Sequence, residues 1–278
     1  MIKADIHLHS SFSGDSDERM ENTIRAAIEK GLEYICFTEH MDMDFPQNDK
    51  DDGNIFLVDT DSYQKAFEDM KSRYSGKITL LFGVEWGMQP HLANKLSDYV
   101  NQYPFDFIIA SEHITNKSDP YYPEFYEGRS EFDAYAEYFS DIVTNLDAMC
   151  YVNHSAPVSS LGHLDYVVRY GPNKNENYSY KLYGDYLDEI LKRLIDRSIA
   201  LEVNTGGYKY NLGQPNPATD VIKRYLELGG ELITIGSDAH KAEHLCYDFD
   251  RLESLLLDLG VKYYTVFQER KPIMLNLN

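Results

Sequence analysis

Cysteine is scarce in this 278-residue chain: Cys36, Cys150 and Cys246 are three in number and too scattered for a disulfide framework. The expectation is buried thiols in a reducing, cytoplasmic protein. Positive charge is also short, with 26 lysines and arginines against 46 acids and a formal net charge of −20. Such a balance repels the phosphate backbone of nucleic acids and the anionic face of a membrane, so neither is an expected partner. Any phosphate-bearing ligand must be gripped by a few local cations. Long apolar runs are absent too: none approaches the ~20 residues that cross a bilayer, and the opening MIKADIHLHS has no apolar core of signal-peptide length. No linker or repeat interrupts the chain, and its length suits one α/β barrel, so residues 1–278 are read as a single domain.

What is present is alternation. Short β-branched, apolar runs are separated by longer amphipathic segments, the pattern of parallel strands joined by helical crossovers. Seven such units can be drawn, with strands in KADIHLH, YICFTEH, ITLLFGVEW, FDFIIASEH, VSSLGHLDYV, IALEVNTGG and LITIGSDAH, and YYTVFQE as a late eighth run. Between them, DERMENTIRAAIEKG sets Met20, Ile24 and Ile28 on one helical face and stops at Gly31, and PATDVIKRYLELGG repeats the device with Val221, Tyr225 and Gly229. The acidic stretch MDMDFPQNDKDDGNIFLVDTD has no periodicity and reads as a long loop, either a lid or a solvated excursion.

Polar chemistry gathers at the strand ends. His7 and His9 close the first, His40 the second, Glu85 the third, His113 the fourth, His163 the fifth, and Asp238 with His240 the seventh. One such histidine would be an ordinary structural residue. In a parallel barrel, however, all strands deliver their C-terminal ends to one face, so these groups would meet. Alternate residues of a strand share a side, which lets His7 and His9, and likewise Asp238 and His240, reach a common ion. Imidazole mixed with carboxylate suits Zn²⁺, Mn²⁺ or Fe²⁺ better than Mg²⁺ or Ca²⁺. The number of ligands implies two or three ions, with Glu85 bridging a pair. Asp15 or Asp17 in the first loop could complete the set, Asp15 being the choice.

The segments DIHLHSSFSGDSD, FTEH, GVEW, ASEH, LGHLDYVVRYG, LEVNTGG and IGSDAH resemble, in order and spacing, the motifs of the polymerase and histidinol phosphatase (PHP) family, and most closely its stand-alone histidinol-phosphatases. The resemblance implies a distorted (β/α)7 barrel with a trinuclear centre held by His7, His9, Asp15, His40, Glu85, His113, His163, Asp238 and His240. His163 is preferred to His154 because GHLD, and not NHSAP, matches the pattern. The resemblance also implies hydrolysis of a small phosphate monoester, histidinol phosphate in histidine biosynthesis, with a nucleotide or sugar phosphate as the alternative. Arg169 is the expected phosphate ligand, since its planar fork spans two oxygens; Lys209 and Arg197 are candidates for a second cation, with a helix C-terminal charge as the preferred reading of Arg197. Asp238, or a neighbouring strand-end histidine such as His240, is the expected proton shuttle beside the bridging Glu85. A family exonuclease would need a basic track; an amidohydrolase barrel usually has a bridging lysine or a further histidine on the fourth strand, whereas here the bridging candidate is Glu85 on the third and ASEH offers no lysine.

Overall fold

The computed structural model describes residues 1–46, 54–150 and 157–277. Seven parallel strands form one sheet in the order of the chain: β1 (Ala4–Leu8), β2 (Tyr34–Met41), β3 (Thr79–Gly87), β4 (Phe107–Ser111), β5 (Ser160–Leu161), β6 (Ala200–Asn204) and β7 (Ile233–Gly236). Just past β1 and β7 the ring closes, where Leu8 bridges Ala239, His9 N donates to Ala239 O (3.0 Å) and Asp238 N donates to His7 O (3.0 Å). The result is the distorted (β/α)7 barrel that the resemblance implies, and its seven parallel strands are the seven units drawn from the alternation. Every residue of β1, β4, β6 and β7 is buried, as strands covered on both faces should be.

The crossovers follow their sequence patterns. Helix α1 (Met20–Glu29) buries Met20, Ile24 and Ala27, and Gly31 at φ 73° ends it; Ile28, expected on the same face, lies at the margin and is only half-buried. After α2 (Thr60–Arg73) and α3 (Ala93–Val100), Tyr63, Phe67, Phe82, Tyr99 and Phe105 form a chain of ring contacts 4.7–6.4 Å apart behind β3. Each such ring, fully buried, contributes about 1.5–3 kcal/mol. Helix α4 (Glu131–Cys150) leads to β5, and α5 (Val167–Tyr170), α6 (Tyr180–Asp196), α7 (Gly206–Lys209), α8 (Thr219–Glu227) and α9 (Phe249–Asp258) complete the outer layer. None of the helices of the described residues is long and apolar enough to cross a membrane.

Two expectations need correction. The fifth strand is not the full run VSSLGHLDYV but Ser160–Leu161, because the chain turns out of the sheet through Tyr166 N to His163 O (2.8 Å) and Val168 N to Asp165 O (2.9 Å). The eighth run, β8 (Tyr263–Gln268), does not join the barrel; it pairs antiparallel with β9 (Lys271–Asn276), a strand not drawn from the sequence. This hairpin covers the N-terminal mouth, with Glu269 N and Arg270 N donating to Asp106 ahead of β4 and Lys3 N donating to Tyr264 Oη (2.8 Å). Of the thiols, Cys36 is buried as expected and Cys246 is only half-buried; the Cys150 side chain lies outside the described residues.

Candidate metal centre

At the open, C-terminal mouth the strand-end residues converge on one carboxylate. Register sets the pair at the centre, since His40 of β2 lies directly beside Glu85 of β3. Glu85 is fully buried, and its Oε2 stands 3.2 Å from His7 Nε2, 3.4 Å from His9 Nε2 and 3.1 Å from His40 Nδ1, while Oε1 stands 3.2 Å from His113 Nε2 and 2.9 Å from His163 Nε2. Five imidazoles around two oxygens exceed what hydrogen bonds alone can satisfy. Accordingly His7 Nε2, His9 Nε2, His40 Nδ1, Glu85 Oε2, His163 Nδ1 and His240 Nε2 have no hydrogen-bond partner, although buried polar atoms are nearly always paired.

The outer nitrogens show how the rings are aimed. His7 Nδ1 donates to Glu202 Oε1 (2.6 Å), His113 Nδ1 to Asp42 Oδ1 (2.8 Å) and His240 Nδ1 to Asp238 O (3.1 Å). His9 Nδ1 donates to Ser13 Oγ (3.0 Å), and that hydroxyl passes its own proton to Glu39 Oε2 (2.6 Å). In the neutral ring each pairing holds the proton on Nδ1 and leaves Nε2 as the ligating nitrogen, the arrangement that metal-binding histidines adopt. Burial and the neighbouring rings of His240 and His40 push His9 down to about 3, whereas against the effect of burial Glu202, Glu85 and Asp238 hold His7 well above the usual imidazole range and Asp42 and Glu85 raise His113 to about 10. Donor atoms fall into overlapping groups of three: His9, His40 and His240; His7, His9 and Glu85; His7, His163 and Asp238; His40, Asp42 and His113; and Glu85, His113 and His163. Divalent transition metals fit this set of nitrogens and oxygens.

Asp15 closes the rim, 2.9 Å from His240 Nε2 and 3.6 Å from His40 Nε2; Asp17 is exposed and makes no ion pair with either. His154 lies outside the described residues. Asp238 has the left-handed φ of 55° that aspartate tolerates better than most residues, and its Oδ1 faces His7, His9 and His240 at 3.8, 3.6 and 3.7 Å.

Arg169, on α5, is 3% exposed and lines the cavity in front of the cluster. Its Nε donates to Asn216 Oδ1 (2.8 Å), Nη2 to Asn204 Oδ1 (3.0 Å) and Nη1 to Asp238 Oδ2 (2.9 Å), so the guanidinium is held rigid at the mouth. Lys209 is half-buried nearby; burial lowers its pKa while the charges of Asp238 and Asp15 oppose that shift. Arg197 is not a second phosphate cation; it is the charge at the C-terminal cap of α6. It precedes β6, so it sits at the opposite, N-terminal end of the barrel, bound to Leu146 O (2.9 Å) and Asp147 (2.7 Å). His91 and His244 lie outside the cluster: His91 pairs with Asp44 and the His244 ring meets Tyr247 edge-on.

Asp42, Glu202, Glu39 and Asp119 were not singled out from the sequence. For Glu39 and Glu202 a carboxylate inside an apolar strand, as in ALEVN, was the available signal. The cavity, of about 340 Å³, is walled beyond the cluster by Asp119, Tyr121, Tyr122, Tyr166 and Tyr170, and by Phe45, Ile55 and Phe56 from both described flanks of the long loop after β2. Asp119 accepts from Tyr121 N (2.8 Å) and Tyr166 Oη (3.3 Å) through Oδ1 alone, and burial raises its pKa to about 6. Tyr166 lies between this acid and the cluster, its ring tilted by 36° and 5.2 Å from that of His163.

Comparison with known proteins agrees with this geometry. The model of the PHP domain matches residues 5–206. A histidinol-phosphatase of Lactococcus lactis is 32% identical over 280 residues, covering 98% of this chain and 96% of that protein, and a Clostridium acetobutylicum protein named "Probable histidinol-phosphatase" is 32% identical over 96% and 97%. The crystal structure of the Lactococcus lactis histidinol phosphate phosphatase, in complex with zinc, L-histidinol and phosphate, superposes with a TM-score of 0.85 at 30% identity, covering 98% of both chains.

Proposed function

The chain belongs to the PHP domain family, and on that premise we propose that it is a metal-dependent phosphate monoester hydrolase that converts L-histidinol phosphate and water to L-histidinol and phosphate. The carrying observation is the convergence of five histidines on Glu85 beside a buried, rigidly held arginine. His7, His9, Asp15, His40, Glu85, His113, His163, Asp238 and His240 would hold two or three divalent ions, zinc, manganese or iron, with Glu85 shared between them. Such ions neutralise phosphoryl charge and make water acidic enough to lose a proton near neutral pH.

The chain's own groups do the rest. Arg169 grips the phosphoryl oxygens; three of its N–H groups are already committed to the protein, so it meets the ester in one orientation. Asp238 would take the proton of the attacking water and return it to the leaving alcohol oxygen, a role supported by its place in the cluster beside His240, 3.7 Å from Oδ1. Lys209 adds positive charge at the rim. The tyrosine wall excludes water from the leaving group, and Asp119 within it suits an alcohol bearing a cationic nitrogen, as histidinol does. Residues 1–278 act as one domain, supported by a single barrel with its hairpin packed beneath. A reducing, cytoplasmic setting accords with free Cys36 and Cys246.

The test is phosphate release by the metal-loaded protein from L-histidinol phosphate beside nucleotides, sugar phosphates and phosphoserine at equal concentration. A kcat/KM for histidinol phosphate at least about a hundredfold above the others, some 2.7 kcal/mol of transition-state preference, is expected. Equal weak rates on all of them would refute the substrate while leaving the phosphoesterase.

A further inference from the structure

Strand β6 is the one strand of the barrel whose end supplies no candidate ligand, and yet it carries a buried acid. Glu202 is 1% exposed, and among the described residues its ion pair is with His7 and not with a lysine or arginine. Its two oxygens are divided between different ligand-bearing strands: Oε1 accepts from His7 Nδ1 of β1 (2.6 Å), while Oε2 accepts from the backbone N–H of His163 after β5 (2.7 Å). Oε2 also accepts from Asn204 Nδ2 (3.1 Å), two residues along the same face of β6. Asn204 in turn turns its carbonyl oxygen to Arg169 Nη2 (3.0 Å), and Arg169 Nη1 reaches Asp238 (2.9 Å), whose other oxygen faces His7 Nε2 (3.8 Å).

These contacts form a closed circuit, from His7 through Glu202, Asn204, Arg169 and Asp238 back to His7. A second observation marks it as built. Gly236 of β7 leaves the space that the His7–Glu202 pair fills: a Cβ there would lie 2.4 Å from His7 Cβ and 2.7 Å from Glu202 Oε1. We infer that Glu202 and Asn204 are positioning residues: Glu202 sets the tautomer and aim of His7 and the place of His163 for the metal, and Asn204 links that setting to the arginine that grips phosphate. The inference rests on the metal-dependent reading above. A carboxylate accepts both N–H groups, whereas a glutamine at 202 must turn one N–H towards its neighbours, which either breaks a contact or moves the His7 proton to Nε2 and occupies the ligating lone pair.

The measurement is metal affinity, by competition of Zn²⁺ between the protein and a chromophoric chelator, together with the inhibition constant of inorganic phosphate. Glu202→Gln should weaken Zn²⁺ binding by about 10–100-fold and weaken phosphate with it, with Glu202→Asp recovering part of the loss. Asn204→Ala should weaken phosphate by about tenfold while Zn²⁺ affinity stays within about twofold of wild type. Unchanged Zn²⁺ affinity in Glu202→Gln would overturn the role of Glu202. Parallel loss of both constants in Asn204→Ala, or of neither, would overturn the division between the two residues. Failure of the metal-dependent reading itself would look different, since the wild-type protein would then take up no Zn²⁺.

Discussion

An alanine at position 236 asks β1 and β7 for room they do not have. The added Cβ would stand 2.4 Å from His7 Cβ and 2.7 Å from Glu202 Oε1. Carbon atoms settle near ~3.5–4.0 Å, so the strands must part by roughly 1 Å or more. Neither neighbour can swing aside: one is the root of a side chain, the other a carboxylate fixed from three sides. Overpacking of this kind costs about 1–3 kcal/mol, which for a chain of this size lowers Tm by roughly 2–12 °C. Calorimetry on the chelated protein reads that term alone. Repeating the scan in excess Zn²⁺ reads the second consequence: because His7 is pushed off its position, the metal-dependent rise in Tm should shrink, a tenfold loss of affinity removing about 1.4 kcal/mol. Gly184→Ala in α6 is the control, since its Cβ would meet Tyr180 at an ordinary 3.5 Å and should cost nothing. An unchanged Tm for the chelated Gly236→Ala protein would refute the packing argument. A lower Tm with the full metal increment intact would refute the displacement of His7.

Other substitutions separate the roles at the mouth. Arg169→Lys keeps the charge and loses the fork, and should raise KM for the phosphate ester by about tenfold or more with a smaller change in kcat; an unaltered KM would make Arg169 a purely structural brace for Asp238. Asp238→Asn should lower kcat for an alkyl ester far more than for p-nitrophenyl phosphate, whose leaving group needs no proton, and equal losses would remove Asp238 from proton transfer. Asp119→Asn should cost L-histidinol phosphate at least about tenfold more in kcat/KM than it costs p-nitrophenyl phosphate, and a uniform loss would count against a cation subsite.

The barrel was legible because its strands are buried on both faces and so stand out as apolar runs, and because parallel topology sends every strand end to one side. That rule alone brings His7, His40, Glu85, His113, His163 and His240 together from positions over two hundred residues apart. The same rule, applied to order along the chain, would have excluded Arg197: a residue just before a strand belongs to the opposite mouth. Glu202, Asp42 and Glu39 stayed hidden for a different reason. Each is a buried carboxylate whose meaning lies in the ring nitrogen or hydroxyl it meets, and a partner such as His7, 195 residues away, is not written in local spacing. The shortened β5 was misjudged because Leu164 and Val167 continue the apolar run after the chain has turned into α5.

Closure of the ring between the two ends of the chain has a kinetic consequence. His7 and His9 precede the rest of the barrel, yet the segment that pairs with them, Asp238–Ala239, and the tyrosine that accepts from Lys3, 261 residues later, follow only after it. No partial chain can assemble the cluster, so the free energy of ion binding rewards only the last step of folding. Contacts of such separation form slowly. Refolding without metal should therefore stall in species with formed helices and an open barrel, and added Zn²⁺ should speed the final phase only to the extent that the seam is already shut in its transition state.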